Sequence, residues 1–268
     1  MKFLAAAVQM LASSDKAANL GEARRWVRTA ASQGARVIAL PEVFIWRGRQ
    51  SDERKSAEPI PGPTSRALAG LASELGIYLL GGSILEEIPG SEKAYNTSLL
   101  FGPQGNLLAS YRKMHLFDVD LAQGVSVRES DTRAFGEAIV VAETELCPMG
   151  LTVCYDLRFP ELYRGLATQG AQLFFVPSAF TAYTGKAHWE PLLRARAIEN
   201  QVYVIAPAQF GKNPKSFETH GHSMIIDPWG KILSELPDGP GIVTAEIDLD
   251  YLAQIRAELP ALTHRKLA

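Results

Sequence analysis

The 268-residue chain carries 47% hydrophobic and 21% charged residues with 22 glycines and 16 prolines, the composition of a globular protein with a sizeable core. A net charge of -2 with both signs interspersed leaves no basic stripe for nucleic acid and no polybasic segment for a membrane surface. The two cysteines, Cys147 and Cys154, match neither a disulfide framework nor a CxxC metal or redox motif, so a reducing cytoplasm is the expected location.

The opening apolar run has a faint signal-peptide character, but Gln9 interrupts it, and residues 3–8 read as a first strand. No later run approaches the ~18–20 apolar residues that cross a bilayer. A helix over 19–32 leads to a strand over 37–40. In the helix predicted over 64–75, Ala67, Leu68, Leu71, Ala72 and Leu75 recur at helical spacing, and Gly76 suits its C-terminal cap. Strands follow over 77–83, 97–101, 107–111, 138–141, 150–154, 173–176, 202–206, 223–226 and 241–247. Helices over 161–169 and 188–199 interleave with them, and a last one over 248–259 is capped by Asp248 and stopped by Pro260. The turn signals Gly102-Pro103-Gln104-Gly105-Asn106 and Asp227-Pro228-Trp229-Gly230 each join two strands, so the sheet cannot be all parallel. No linker, low-complexity run or repeat divides the chain. One α/β domain over 1–268 is expected, with sheets packed on one another and helices outside.

Three strand ends carry candidate chemistry. Cys154 stands where an apolar strand runs through a polar turn toward a helix, and the helix start favours thiolate while the Tyr155 N–H can face an oxyanion. The plain alternative is that a lone cysteine in an apolar strand is a small buried hydrophobe. Glu42 follows the strand 37–40 and Pro41, at a carboxyl end where α/β sheets place ligands, and apolar surroundings would favour its acid form. Lys113 ends the strand 107–111 and could supply a fixed cation, although adjacent bases such as Arg112-Lys113 are ordinarily surface charge. Glu129 lies in a long irregular stretch, 118–132, of the kind that often carries function. His220-Gly221-His222 has no further ligand at metal spacing, and His115 and His188 look isolated. No GxSxG, GxxxxGK[ST] or GxGxxG motif is present.

Together Leu40-Pro41-Glu42, Tyr111-Arg112-Lys113 and Cys154-Tyr155-Asp156-Leu157-Arg158-Phe159-Pro160-Glu161, with His188-Trp189-Glu190 and the 221–230 segment, resemble the nitrilase (carbon-nitrogen hydrolase) superfamily over nearly the whole chain. Residues 112–120, Glu129-Ser130 and 192–200 are most similar to its Nit branch. The resemblance implies a four-layer α-β-β-α sandwich and no cofactor or metal. It also implies a small-molecule amide substrate bearing a carboxylate, and a homodimer. It assigns Cys154 as nucleophile, Glu42 as the proton shuttle, Lys113 and the Tyr155 N–H as oxyanion donors, and Glu129 as the residue that orients Lys113 or substrate. Arg158, Phe180 and Thr184 would bind the keto-acid end of the substrate.

That branch comprises amidases for deaminated glutathione and ω-amidases for α-ketoglutaramate. Pro177-Ser178-Ala179-Phe180 and Ala206-Pro207-Ala208-Gln209 look more like the former. Nitrile hydrolysis is disfavoured because nitrilases carry Trp-Glu where this chain has Tyr155-Asp156. N-carbamoyl amino-acid hydrolases share an arginine near Arg158, and the neighbouring helix argues against that alternative. A non-enzymatic interaction module is the remaining reading, against which stands a complete Glu-Lys-Cys set.

Overall fold

The strand Lys2–Gln9 owes its central place to side chains small or apolar enough to be buried on both faces. Alternation along it sends Ala5 and Ala7 to one core and Ala6 and Val8 to another, as the twofold strand period requires. The computed structural model describes residues 1–122 and 124–267. Lys2–Gln9 pairs antiparallel with Gly241–Asp248 and parallel with Ala35–Ala39, which in turn lies parallel to Tyr78–Leu80. Ala94–Phe101 and Ile84–Glu87 extend this sheet, and Leu107–Arg112 and Arg133–Ala134 pair with Ala94–Phe101. A second sheet runs in the order Val141–Ala142, Met149–Leu151, Leu173–Phe175, Tyr203–Ala206, Ser223–Ile226 and Ile232–Leu236, parallel at Met149–Leu151, Leu173–Phe175 and Tyr203–Ala206.

The two sheets face each other through one buried cluster that joins Phe3, Ala5, Ala7, Val37 and Ala39 to Met149, Leu151, Val204 and Ile225. On the outer face of the first sheet, Ala6, Val8, Ile38 and Leu40 meet Ala23 and Val27 of the helix Lys16–Ser32 and Leu68 and Leu71 of Pro63–Leu75. On the second, Leu162 and Leu166 of Pro160–Thr168 and Trp189 and Leu193 of Ala182–Asn200 cover the strands. The result is a four-layer α-β-β-α sandwich. Each fully buried leucine, such as Leu68, stabilises it by about 2 kcal/mol.

Most helix ends follow from their caps. Asp15 accepts from the Ala18 N–H, Gly76 takes the left-handed conformation, and Asp248 accepts from the Asp250 and Tyr251 N–H groups. Both turn signals join antiparallel strands as expected. Other expectations are corrected. The helix read over 188–199 begins at Ala182, where Thr181 caps it and Gly185 lets His220 pack against the backbone. The strand read over 150–154 ends at Leu151, and that over 138–141 is reduced to the pair Val141–Ala142. The stretch 118–132 is not irregular: Asp118–Asp120 pairs antiparallel with Ser126–Arg128, and Glu129–Thr132 forms one helical turn. The strand read over 77–83 is shortened to Tyr78–Leu80, and beyond Gly81-Gly82 a further strand, Ile84–Glu87, follows.

Gly82 has φ +53°, and a β-carbon there would lie 1.9 Å from the Pro41 carbonyl oxygen. That contact sets the path of the backbone into Glu42. Gly82→Ala is therefore expected to cost at least about 2 kcal/mol of stability and to lower turnover, read by thermal melting and a rate assay on the same preparation.

Candidate active site

Glu42 leaves the strand Ala35–Ala39 through a bend in which Val43 has φ +45°, an uncommon conformation for a β-branched residue. The bend is held by the Val43 N–H donating to Ser83 Oγ at 3.0 Å and by Gln209 Nε2 donating to the Glu42 carbonyl at 2.9 Å. The carboxylate accepts from Asn96 Nδ2 and the Ala179 N–H, each at 2.8 Å, and from Lys113 Nζ at 3.1 Å. The expected apolar setting is thus corrected. Three donors surround Glu42 and fix the orientation of its carboxylate.

Lys113 is not surface charge. It is 1% exposed, whereas its neighbour Arg112 turns outward to pair with Glu86. Its ammonium also donates to Glu129 Oε2 at 2.8 Å, and Glu129 in turn accepts from the Phe117 N–H at 2.9 Å and from Arg133 Nη1 at 2.5 Å. Arg133 continues the chain to Glu53 through contacts of 2.6 and 3.0 Å. Burial opposes the charge on Lys113, but Glu129 and Glu42 outweigh it and push its pKa up. Burial likewise opposes ionisation of Glu129, yet Arg133 and Lys113 prevail and hold it down at about 2. With two of its three N–H groups committed, Lys113 keeps one free for substrate.

Cys154 opens a 3-10 turn, Cys154–Arg158, with φ +50° at the cysteine itself. Its N–H donates to the Pro177 carbonyl at 3.0 Å. Asp156 locks the turn, its carboxylate accepting from the Val153 and His115 N–H groups and from Tyr111 Oη at 2.7–3.0 Å. The expectation that a helix start beside Cys154 favours thiolate is corrected. The α-helix starts only at Pro160, and burial, with the charge of Glu42, pushes the thiol well up against the opposing pull of Lys113. Among the described residues the Tyr155 N–H, second in that turn, has no hydrogen-bond partner.

Glu42, Lys113, Glu129, Cys154, Tyr155, Phe180 and Thr184 all line one cavity of about 400 Å³, within the usual range for small-molecule sites of about 300–1,000 Å³. Arg158 stands beside it rather than among the lining residues. It lies 5.1 Å over the Phe180 ring and 5.8 Å over the Tyr155 ring, with Nη1 3.2 Å from His188 Nδ1. The histidines thought isolated, His115 and His188, have partners: His115 stacks on Phe159 at 3.7 Å and bonds Asp156, and His188 meets Arg158, while in the His220-Gly221-His222 pair His222 stacks on His220 and contacts Glu235. Among the described residues no group of three or more His, Cys, Asp or Glu could hold a metal ion, and no helix is long and apolar enough to cross a membrane. Sequence reading missed Asn96, Arg133, Glu53, Asp156 and Arg47. Only Arg133, four residues after Glu129, carried a local signal.

Removing the charge of Glu129 leaves Lys113 and Arg133 under-compensated. Glu129→Gln is expected to lower stability by about 3 kcal/mol at neutral pH and turnover by about 10²-fold. Because the folded pKa of Glu129 lies below its ordinary 4.5, its stabilising contribution is complete above that value and fades as pH falls toward 2. The stability gap between wild type and Glu129→Gln should therefore narrow in that window, as measured by urea melts from pH 7 to 3.

Residues 4–257 match the carbon-nitrogen hydrolase family. A Synechocystis relative described as deaminated glutathione amidase is 46% identical over 98% of both chains, and a zebrafish (Danio rerio) omega-amidase NIT2 is 43% identical over 99% of this chain and 95% of its own. The solved structure of Saccharomyces cerevisiae Nit3, of branch 10 of the nitrilase superfamily, superposes with a TM-score of 0.91 at 36% identity, over 99% of this chain and 97% of that one. A buried carboxylate, ammonium and thiol converging in one cavity, on a chain matched almost end to end, make this protein a member of the carbon-nitrogen hydrolase family acting on amides.

Proposed function

We propose that this amidase hydrolyses the γ-amide bond of deaminated glutathione, releasing 2-oxoglutarate and Cys-Gly. The observation that carries the reading is the Glu42–Lys113–Glu129 array beside Cys154 in a cavity roomy enough for a peptide-sized amide. The near full-length similarity to the Synechocystis relative supports this substrate.

In this reading Cys154 Sγ adds to the amide carbonyl while its proton passes to Glu42, and a C–S bond forms as the carbonyl becomes an oxyanion. A thiol whose pKa burial pushes up needs such a base beside it. Lys113 Nζ and the Tyr155 N–H stabilise the oxyanion, each donor contributing about 10²–10³ in rate. Glu42 then protonates the departing nitrogen, the C–N bond breaks and a thioester remains. Water, deprotonated by Glu42, attacks the thioester, the C–S bond breaks and the proton returns to sulfur. Glu129 fixes Lys113 and so acts through it. Phe180 and Thr184 flank the acyl group, and Arg158, charged and packed against Phe180, attracts the keto-acid carboxylate. Assembly as a homodimer and residence in the cytoplasm belong to the same reading.

A second reading, ω-amidase activity on α-ketoglutaramate, is favoured by the similarity to the zebrafish relative. Side-by-side kinetics on the two substrates separate them. A higher kcat/KM on deaminated glutathione is expected, with an acyl adduct on wild type and none on Cys154→Ala by mass spectrometry. A higher value on α-ketoglutaramate transfers the assignment to ω-amidase, and no turnover or adduct with either removes both. Arg158→Lys should raise KM by about 10-fold with Tm unchanged, and equal kinetics would remove Arg158 as an anchor.

A further inference from the structure

Among the described residues the cavity holds a buried cation without a carboxylate partner that the proposed hydrolytic steps leave unused. Arg47 follows the bend after Glu42, lines the cavity and is 5% exposed. Its backbone is fixed at both ends, the N–H donating to the Ser13 carbonyl at 2.8 Å and the carbonyl accepting from Asn213 Nδ2 at 3.3 Å. The side chain meets only neutral groups. Nη2 donates to Ser216 Oγ at 3.2 Å and the Phe217 carbonyl at 3.4 Å, and the guanidinium lies 5.2 Å over the Phe217 ring. Among the described residues Nη1 has no hydrogen-bond partner, and no carboxylate stands within ion-pair distance of Arg47.

The contrast with Arg133 is direct. That guanidinium is equally buried, but Glu53 and Glu129 neutralise it and push its pKa up. Burial pulls Arg47 down to about 10, and the more distant charge of Glu42 only partly offsets the effect. A guanidinium held among neutral acceptors is costly, and a planar carboxylate is the ligand its geometry fits best. Lys215 lines the same cavity with its ammonium on Ser14 Oγ at 3.0 Å, a second cation without a carboxylate in contact among the described residues.

We propose that Arg47 is a specificity-determining residue that binds a second substrate carboxylate, on the leaving-group side of the scissile amide, with Lys215 adding positive charge nearby. This rests on the amidase reading above and deepens it. Deaminated glutathione has a keto acid at one end and a glycine carboxylate at the other, and its two anionic ends require two cationic anchors. Arg158 serves the acyl side and Arg47 the amine side. α-Ketoglutaramate releases only ammonia on that side, with no carboxylate for Arg47 to bind, and gains nothing from it.

The test uses wild type and Arg47→Met on three substrates: deaminated glutathione, its C-terminal carboxamide and α-ketoglutaramate. For wild type, replacing the glycine carboxylate by carboxamide should raise KM about 10- to 100-fold with kcat little changed. Arg47→Met should raise KM for deaminated glutathione by a similar factor and leave the other two substrates within about twofold. Wild type that treats acid and carboxamide alike overturns the anchor, and that comparison needs no variant to fold. An equal penalty from Arg47→Met on all three substrates also overturns it. Absence of wild-type turnover on both deaminated glutathione substrates overturns the deaminated-glutathione reading itself and the anchor with it.

Discussion

The burial of Lys113 is the constraint around which this molecule is arranged. Removing an ammonium from water costs several kcal/mol, and the interior must return that energy through well-placed partners. Glu42 and Glu129 do so on one side and Arg133 and Glu53 complete the chain on the other. These groups come from widely separated segments, so none of them is compensated until the first sheet has formed and the loops beyond its strand ends are docked. The ionic chain is satisfied by the whole fold, and no isolated segment could keep it.

Two backbone positions beside that chain are held in uncommon conformations. Val43 and Cys154 both have positive φ, the first aiming the preceding Glu42 and the second starting the turn that carries the nucleophile. Such positions cost about 1–3 kcal/mol each and persist only where the surroundings over-determine them. Here Ser83 Oγ, the Pro177 carbonyl and the many-times bonded Asp156 supply that determination. Asp156 illustrates how a wholly buried acid can be structural: it ties the nucleophile turn to the Tyr111–His115 segment, which also bears Lys113.

Much of this was legible in the amino-acid sequence because it has local causes. The helix Pro63–Leu75 announces itself by apolar spacing and Gly76, and both hairpins by their turn residues. Glu42, Lys113 and Cys154 stood out because each follows an apolar strand. What could not be read depends on partners remote in the chain. The start of Ala182–Asn200 is decided by a cap and by contact with His220, the polar setting of Glu42 by Asn96 and Ala179, and the neutral state of Cys154 by burial beside Glu42. Arg47 sits in a segment, Trp46-Arg47-Gly48-Arg49, whose pattern gives no hint of which arginine is buried.

The raised pKa of the Cys154 thiol has a bearing on how long the protein keeps working. The thiolate is the form of sulfur that attacks peroxides and other electrophiles, so a cysteine whose pKa is pushed up offers them less to react with. Its exposure is also slight, since the side chain is buried within the cavity wall. The same burial and neighbouring carboxylate that push the thiol pKa up slow the loss of the nucleophile to sulfenic and higher acids. Chemical durability of the enzyme and its reliance on Glu42 are thus two outcomes of one electrostatic setting.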